Sequence, residues 1–367
     1  MSTAPIGNVS RHMRARNGEC PPGNSTGSTP SRTGHTARLY TASQDRCRGV
    51  DLTGSSVRAR LRRTGAPTFT EHTTADGAPY PRPVGQRLMS VGINLLSRRM
   101  FELVEPIGVI PYSADEPNEA MFALGFTNYW DTYFAGRAAP LGASVPADVV
   151  HALFYNFAPG EVARHIPKVW GTTTPEAAIL ARQQGCAAAL RRILGSVLNA
   201  SGFARGVELL TKAATSAPLE GRPMYAALRT LPIPGEPVTQ LFHAASLLRE
   251  HRGDGHIAAL MSEGVGGLEA HVLVALEMGM PAERFGRIHH LPSPQLVALV
   301  DGMKARGLVD EEGGFPSAGR ESKQRIEALT DDLAVAPYEC LTPAEVEDLI
   351  AALDPIAEVL IAAQDWG

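Results

Sequence analysis

The amino-acid sequence predicts an all-α protein whose folded part begins near residue 89. Three observations lead to this prediction. Apolar residues recur at helical spacing from Ser90 onward, and proline and glycine stand where those patterns stop. Only one short stretch, near residue 310, has the pattern of strands. With 367 residues, 44% of them hydrophobic, the chain is long enough to build a substantial core.

Residues 1–88 differ in composition from the rest of the chain. They are rich in Arg, Ser, Thr, Gly and Pro and show neither helical nor strand periodicity, so they cannot bury enough apolar surface to offset the entropy of ordering. We expect a disordered extension, a transit peptide, or translation of upstream DNA from a start codon placed too early. The last is favoured because the segment contains 13 Arg and no Lys, and because Met89 precedes the first good helix.

Charge is divided unevenly along the chain. Residues 1–88 carry a net charge of +8 and the remainder −12, which together give −4. An acidic body repels nucleic acid on average, which disfavours DNA as a partner, although Lys304, Arg306, Arg320, Lys323 and Arg325 could form a local positive patch. No long apolar run or signal peptide is present, and four scattered cysteines have no metal spacing. These features predict a cytoplasmic protein with no membrane partner and no structural disulfide.

The part from 89 to 235 is expected to be a helical domain with aromatic helices. Apolar residues from Leu95 to Val104 predict a first helix, and aromatic residues at i, i+4, i+7 and i+8 predict a second over 118–138. Pro146 opens a third helix at a position that tolerates proline. Further helices are expected at 160–170, 175–195 and 204–216, before a proline-rich connector at 231–237.

A central pair of helices is expected over 236–280. The longer helix spans 238–262 and carries ionisable groups where a buried helix normally carries Leu. Taking about 100° per residue, His243, Glu250 and Asp254 fall on one stripe, with His251 beside it. The second stripe of the same helix is Arg249, Arg252 and His256. Gly253 and Gly255 within such a helix indicate a kink or a close approach of another chain segment.

The part from 281 to 367 has a different layout. It contains a predicted helix at 295–306, two very short strands around a tight turn at 307–316, and a helix at 317–334. A closing helix follows at 342–362. Helix, hairpin, helix is the order of a winged helix-turn-helix module, so we expect a winged-helix-like domain here.

Two family resemblances follow from specific stretches. "KARGLVDEEGGFPSAG" resembles the region between the recognition helix and the wing of MarR-like regulators. A longer resemblance, over about 98–363, is to an actinobacterial helix-turn-helix family. Four stretches carry it: "YFAGRAAPLG" (133–142), "FYNFAPGEVARHIPKVW" (154–170), "LLREHRGDGHIAAL" (247–260) and "GLEAHVL" (267–273). The resemblance implies a fold and no particular activity; modules of this type often dimerise through terminal helices, which makes a homodimer an expectation.

The polar helix supports two interpretations. His243, Glu250, His251 and Asp254 could be metal ligands or an acid–base pair. Alternatively, Glu250 and Asp254 pair with arginines in a structural network and the histidines bind carbonyl groups. No recognised metal spacing is present, which favours the structural network.

The aromatic helices also support two interpretations. Phe126, Tyr129, Trp130, Tyr133 and Phe134 could face Phe154, Tyr155 and Phe157 as the wall of a pocket for a flat ligand, or they could simply form core. Arg137, Arg164 and His165, near the ends of these helices, could bind a carboxylate.

The leading hypothesis is a small-molecule-binding protein with its pocket between the aromatic helices and the polar helix. The predicted ligand-binding residues are His243, Glu250, His251, Asp254, His256, Arg137, Tyr133 and Tyr155. The alternatives are a MarR-like DNA-binding regulator and a His/carboxylate enzyme, metal-dependent or not. The sequence indicates no particular cofactor.

Overall fold

The computed structural model describes residues 91–280 and 291–363, with side chains from residue 95 onward. Within these ranges the chain forms α-helices, short 3-10 segments and loops, and no strand. The prediction of an all-α fold is therefore confirmed for this part of the chain. The predictions about residues 1–88 lie outside the described residues.

The described residues contain thirteen α-helices. They are α1 (Val91–Gly108), α2 (Ile110–Ser113), α3 (Asp115–Phe122), α4 (Tyr129–Ala138), α5 (Ala147–Phe154), α6 (Pro175–Leu194), α7 (Phe203–Ser216), α8 (Pro223–Arg229), α9 (Pro237–Ser262), α10 (Gly267–Glu277), α11 (Ser293–Ala305), α12 (Ser317–Leu333) and α13 (Pro343–Ala363). Short 3-10 segments lie at Ala139–Leu141, Val162–Arg164, Lys168–Gly171, Gly195–Asn199 and Ala336–Cys340.

The predicted polar helix is α9, and it is the central helix of the fold. It packs against α1, α6, α7, α8 and α12. Most of its residues are buried, which is why its sequence lacks the single apolar stripe of a surface helix. Pro237 stands at its first position, and the carboxylate of Glu236 accepts hydrogen bonds from the backbone N–H groups of Val238 and Thr239.

Buried apolar side chains form three clusters. The first joins α1, α6, α7, α9 and α13, with Leu103, Leu210 and Leu241 fully buried. The second is built from aromatic and aliphatic residues of α4, α5 and the 162–169 segment. The third joins the end of α9 to α10, α11 and α12. Because α9 contributes to the first and third clusters, it joins these two parts of the core. The division into domains at residues 235 and 280 stays a prediction.

Two predicted helices in the first part are wrong. The aromatic helix expected over 118–138 is interrupted between α3 and α4, because Gly125 adopts a left-handed conformation (φ +103°) and Asn128 caps the second helix. Its Oδ1 accepts the N–H of Asp131 at 2.9 Å. The helix expected over 160–170 is replaced by two 3-10 segments on either side of Pro167, which has no N–H to continue a helix.

The strands predicted over 307–316 are also wrong. The segment is a tight turn, in which the N–H of Gly313 donates to the Asp310 carbonyl at 3.1 Å and the N–H of Asp310 donates to the Gly314 carbonyl at 3.2 Å. Gly307 and Gly313 both have positive φ, which leaves too few extended residues between them for a ladder. The turn is therefore confirmed, but the wing of the winged-helix interpretation is not a β-hairpin.

The two glycines of α9 have different surroundings. A Cβ at Gly255 would lie 2.2 Å from Nη1 of Arg222, so this position needs glycine for a close approach. A Cβ at Gly253 would have only Glu250 Oε2 nearby, at 3.8 Å. α9 is a single helix through both positions, and the close approach is confirmed at Gly255 alone.

No single helix among the described residues combines the length and apolar character needed to cross a bilayer. α9 and α10 meet those requirements only as a pair, and they are bent by 96° where they join.

Candidate ligand-binding cleft

A cleft opens between α9 and the helices α4, α6 and α8. It holds about 560 Å³ of space not filled by atoms, part of it open to solvent. Its polar lining residues are Tyr112, Arg137, Arg182, Gln183, His243, Ser246, Arg249 and Glu250, and its larger apolar lining residues are Ile179, Met224, Leu228, Leu231 and Phe242. The cleft uses the polar helix, as the predicted pocket does, but none of the predicted aromatic residues is among its lining residues.

Glu250 lies among the arginines of the cleft. Its Oε2 accepts a hydrogen bond from Arg137 Nη2 at 3.2 Å, and its Oε1 lies 3.6 Å from Arg249 Nη1. Burial alone would raise the pKa of Glu250, but the nearby Arg137 and Arg249 lower it by more. The pKa of Glu250 is therefore below its ordinary value. Glu250 is therefore ionised at neutral pH and belongs to an ion-pair network, as the structural interpretation of the polar helix predicted.

Arg137 connects the aromatic cluster to the cleft. Its Nη1 donates to the Tyr133 hydroxyl at 3.0 Å, and its Cζ lies 4.4 Å from the centre of the Phe154 ring. Its Nε is buried and has no hydrogen-bond partner within the part of the chain that the structure describes. One donor of this guanidinium is thus unpaired among the described residues.

Arg182 and Arg249 lie on the two sides of Tyr112. Arg249 pairs with Glu105 at 3.1 Å, whereas Arg182 makes no ion pair with a described residue and donates instead to the Tyr112 hydroxyl at 3.0 Å. Burial raises the pKa of Tyr112, but the neighbouring guanidiniums, Arg182 first, lower it below its ordinary value. The phenol and both arginines form a compact, positively charged wall.

Two glycines make room for these arginines. A Cβ at Gly108 would lie 2.6 Å from Arg249 Cδ, and a Cβ at Gly136 would lie 3.1 Å from Arg182 Nη1. Both glycines line the cleft. Any larger residue would displace a guanidinium, so the positions of the arginines depend on these two residues.

His243 is the second polar group of α9 in the cleft. It is only 3% exposed, and its Nε2 has no hydrogen-bond partner. Burial, with a smaller contribution from Arg229, lowers its pKa to about 4. The imidazole is therefore uncharged at neutral pH and can donate or accept a hydrogen bond.

The other predicted residues of α9 lie outside the cleft lining. His251 is fully buried beside Tyr225, with ring centres 5.1 Å apart, and both of its nitrogens lack partners. Oδ2 of Asp254 accepts the backbone N–H of Tyr225 at 3.0 Å and so binds the start of α8; burial raises the pKa of Asp254 to about 6. His256 Nδ1 lies 2.9 Å from Thr330 Oγ1 on α12.

Of the two predicted tyrosines, one lies next to the cleft and the other does not. Tyr133 is next to the cleft because it accepts a hydrogen bond from Arg137. Tyr155 donates from its hydroxyl to the Val265 carbonyl at 2.6 Å and joins the end of α5 to the start of α10. Of the eight predicted residues, the structure brings Arg137, His243 and Glu250 together, with Tyr133 adjacent.

The predicted aromatic wall is packed as core. Phe134 packs against Phe154 and Phe157, with ring centres 6.0 and 5.0 Å away, and it also stacks on His165 at 4.5 Å. His165 Nδ1 lies 2.7 Å from Asp131 Oδ1, and neither His165 nor the exposed Arg164 lines the cleft. The sequence interpretation missed Tyr112, Arg182 and Arg249; the only signal for Arg182 was a long cationic side chain in the alanine-rich helix α6.

No group of three His, Cys, Asp or Glu side chains within the described ranges could hold a metal ion. The metal-ligand interpretation of His243, Glu250, His251 and Asp254 therefore gains no support from these residues.

The predicted positive patch near α11 and α12 is largely neutralised. Arg306 pairs with Glu269 at 2.5 Å, Lys323 with Glu327 at 2.7 Å and Arg325 with Glu263 at 2.8 Å. Lys304 donates to the Glu311 carbonyl, and Arg320 lies over the Phe315 ring at 4.7 Å. These contacts occupy the side chains that phosphate binding would need.

A protein-family profile described as "Helix-turn-helix family" matches residues 97–366. This chain belongs to that helix-turn-helix family. No curated protein and no solved structure gave a significant match. The helix-turn-helix part of the family resemblance is thereby confirmed, and membership makes DNA a partner to be tested. The actinobacterial origin, the MarR-like region and the homodimer stay predictions.

Proposed function

We propose that this helix-turn-helix family member binds a small molecule in the cleft between α4, α6, α8 and α9. The main support is a pair of buried polar atoms, Arg137 Nε and His243 Nε2, which have no hydrogen-bond partner among the described residues and belong to residues that line the cleft. Leaving such an atom unpaired costs about 1–3 kcal/mol, so partners are expected for both. A bound molecule in the cleft can supply them.

The composition of the cleft agrees with this proposal. Small-molecule sites are concave and mostly apolar, with a few converging polar groups. Here five apolar side chains face an array of arginines, a tyrosine and a histidine. His243 is uncharged near neutral pH and Glu250 is held by two arginines, which favours binding over acid–base catalysis by these residues.

Native mass spectrometry of the full chain, purified from its own host, tests the proposal. We expect a bound mass in the wild type, and we expect Ser246→Trp to lose it, because Ser246 lines the cleft. Ser262→Trp is the matched control, since it makes the same change at an exposed position of the same helix. A wild type without bound mass that is also not stabilised by a metabolite library would refute the proposal, as would equal occupancy in both variants.

A DNA-binding regulator is the second candidate, and it is favoured by family membership. Residues 281–367 carry 7 Arg and Lys against 16 acidic residues, and most described basic side chains there are already paired. We therefore expect weak binding to promoter fragments at physiological salt. Nanomolar binding of an operator under those conditions would establish the regulator instead.

A further inference from the structure

We infer that the molecule bound in this cleft is a monocarboxylate with a compact apolar body. The inference rests on the proposed binding function and adds the charge and shape of the ligand to it. It is carried by the charge imbalance of the cleft, by two nitrogen atoms without a partner among the described residues, and by the apolar side chains in the lining.

The charges around the cleft do not cancel. Arg137, Arg182 and Arg249 provide three positive charges, and Glu250 and Glu105 provide two negative ones. Glu105 pairs with Arg249, and Glu250 is shared between Arg249 and Arg137. Arg182 interacts with Glu250 only at longer range and forms no ion pair with a described carboxylate. A buried charge of this kind needs a counter-charge, and a single negative charge on the ligand supplies it.

A carboxylate fits the donors better than other groups of the same charge. The guanidinium is planar and binds a carboxylate through two parallel N–H groups, and the second carboxylate oxygen can take a further donor. Arg137 Nε and an Nε2–H tautomer of His243 are such donors. A phosphate monoester carries close to two negative charges, whereas the cleft has an excess of only one positive charge.

The apolar residues of the lining define the rest of the ligand. Ile179, Met224, Leu228, Leu231 and Phe242 offer only carbon and sulfur atoms from their side chains. The limited volume, part of which is open to solvent, suits a body about the size of a phenyl ring or a short alkyl chain. The carboxylate would contact α4 and α6, and the apolar body would contact α8 and Phe242.

Thermal-shift measurements and calorimetry on the full chain test this inference. The probes are benzoate, phenylacetate and hexanoate, each with its uncharged amide, together with phenyl phosphate. We expect the carboxylates to raise Tm and the amides to have no effect. Arg182→Gln should weaken carboxylate binding about tenfold or more, since a hydrogen bond to a charged group is lost. Arg192→Gln is the matched control: it lies on the same helix but is mostly exposed and pairs with Glu116 outside the cleft.

A second variant, Glu250→Gln, tests the charge argument in the opposite direction and does not depend on whether Arg182→Gln folds. Glu250→Gln removes one negative charge from the cleft, so carboxylates should bind it more tightly than the wild type. The inference is overturned if amides bind as well as carboxylates, if no carboxylate binds, if phenyl phosphate binds more tightly than phenylacetate, or if Arg182→Gln and Arg192→Gln bind equally. The proposed function survives each of these results as long as Ser246→Trp removes a bound molecule and Ser262→Trp does not; it fails if the native chain carries and accepts none, or if the two variants are equally occupied.

Discussion

The Glu250 carboxylate and the Arg137 guanidinium form an ion pair of 3.2 Å between α9 and α4, with side chains 10% and 17% exposed. Replacing Glu250 by Ala leaves Arg137 and Arg249 with one carboxylate fewer in a buried setting. We expect a loss of about 3–5 kcal/mol in the free energy of unfolding, measured by urea denaturation.

Glu263→Ala is the control for that measurement. Glu263 also pairs with an arginine, Arg325, but at the surface, where such pairs contribute about 0–1 kcal/mol. If both substitutions had the same small effect, the Glu250 network would not be a stabilising feature.

Acid should destabilise the protein between pH 6.5 and about 4.5. Burial lowers the pKa of His243 to about 4, of His251 to about 3 and of His256 to about 4. As the pH falls, these histidines therefore take up protons at a higher pH in the unfolded chain than in the folded one, which favours unfolding. Asp254 opposes them, since its raised pKa of about 6 lets the folded state take up one proton in the same range.

The net difference is about two protons, which corresponds to about 2–3 kcal/mol per pH unit in the middle of this window. Urea denaturation at a series of pH values measures the slope. Stability that rises on acidification from pH 6.5 to 4.5 would contradict the assigned burial of the histidines.

His251→Leu should leave stability unchanged or increase it, and should reduce the acid sensitivity. Both ring nitrogens of His251 are buried without partners, so an apolar residue of similar size loses no hydrogen bond. His256→Leu should be worse than His251→Leu because it removes a contact to Thr330. Thermal unfolding at pH 7 and pH 5 compares the two, and the reverse order of stability would refute this assignment.

Asp254→Asn should keep or raise stability above pH 6, because the amide oxygen can still accept the N–H of Tyr225 and no buried charge forms. Asp254→Ala should lose about 1 kcal/mol, as expected when a helix loses a capping acceptor. Chemical denaturation at pH 8 distinguishes them. Equal losses in both variants would mean that Asp254 does not cap α8.

The sequence predicted the fold better than the site. α9 was predictable because Pro237 opens it and its apolar residues continue for many turns. Its stripe of His243, Glu250 and Asp254 was also geometrically sound, but Asp254 stands 11 residues beyond His243, which is about 16 Å along the axis. At the level of Asp254, α9 packs against the start of α8. Asp254 therefore binds the backbone of Tyr225, whereas His243 and Glu250 on the same stripe line the cleft.

The missing residues of the site come from other helices. Arg182 on α6 and Tyr112 on α2 reach the cleft only through tertiary packing, and no local pattern states which side of α6 faces α9. The sequence did not predict the break in the aromatic helix, because the regular spacing of the aromatic residues hid two local signals. These signals are Gly125, which has a positive φ, and Asn128, which caps α4.

The continuity of α9 has a mechanical consequence. Glu250 faces the cleft, while Arg252, two residues later and roughly 200° around the axis, pairs with Asp331 of α12 at 2.8 Å. A rotation of α9 about its axis that moved Glu250 would therefore move Arg252, on the far side of the helix, in the opposite direction. Such a rotation would change the cleft and the contact with α12 together.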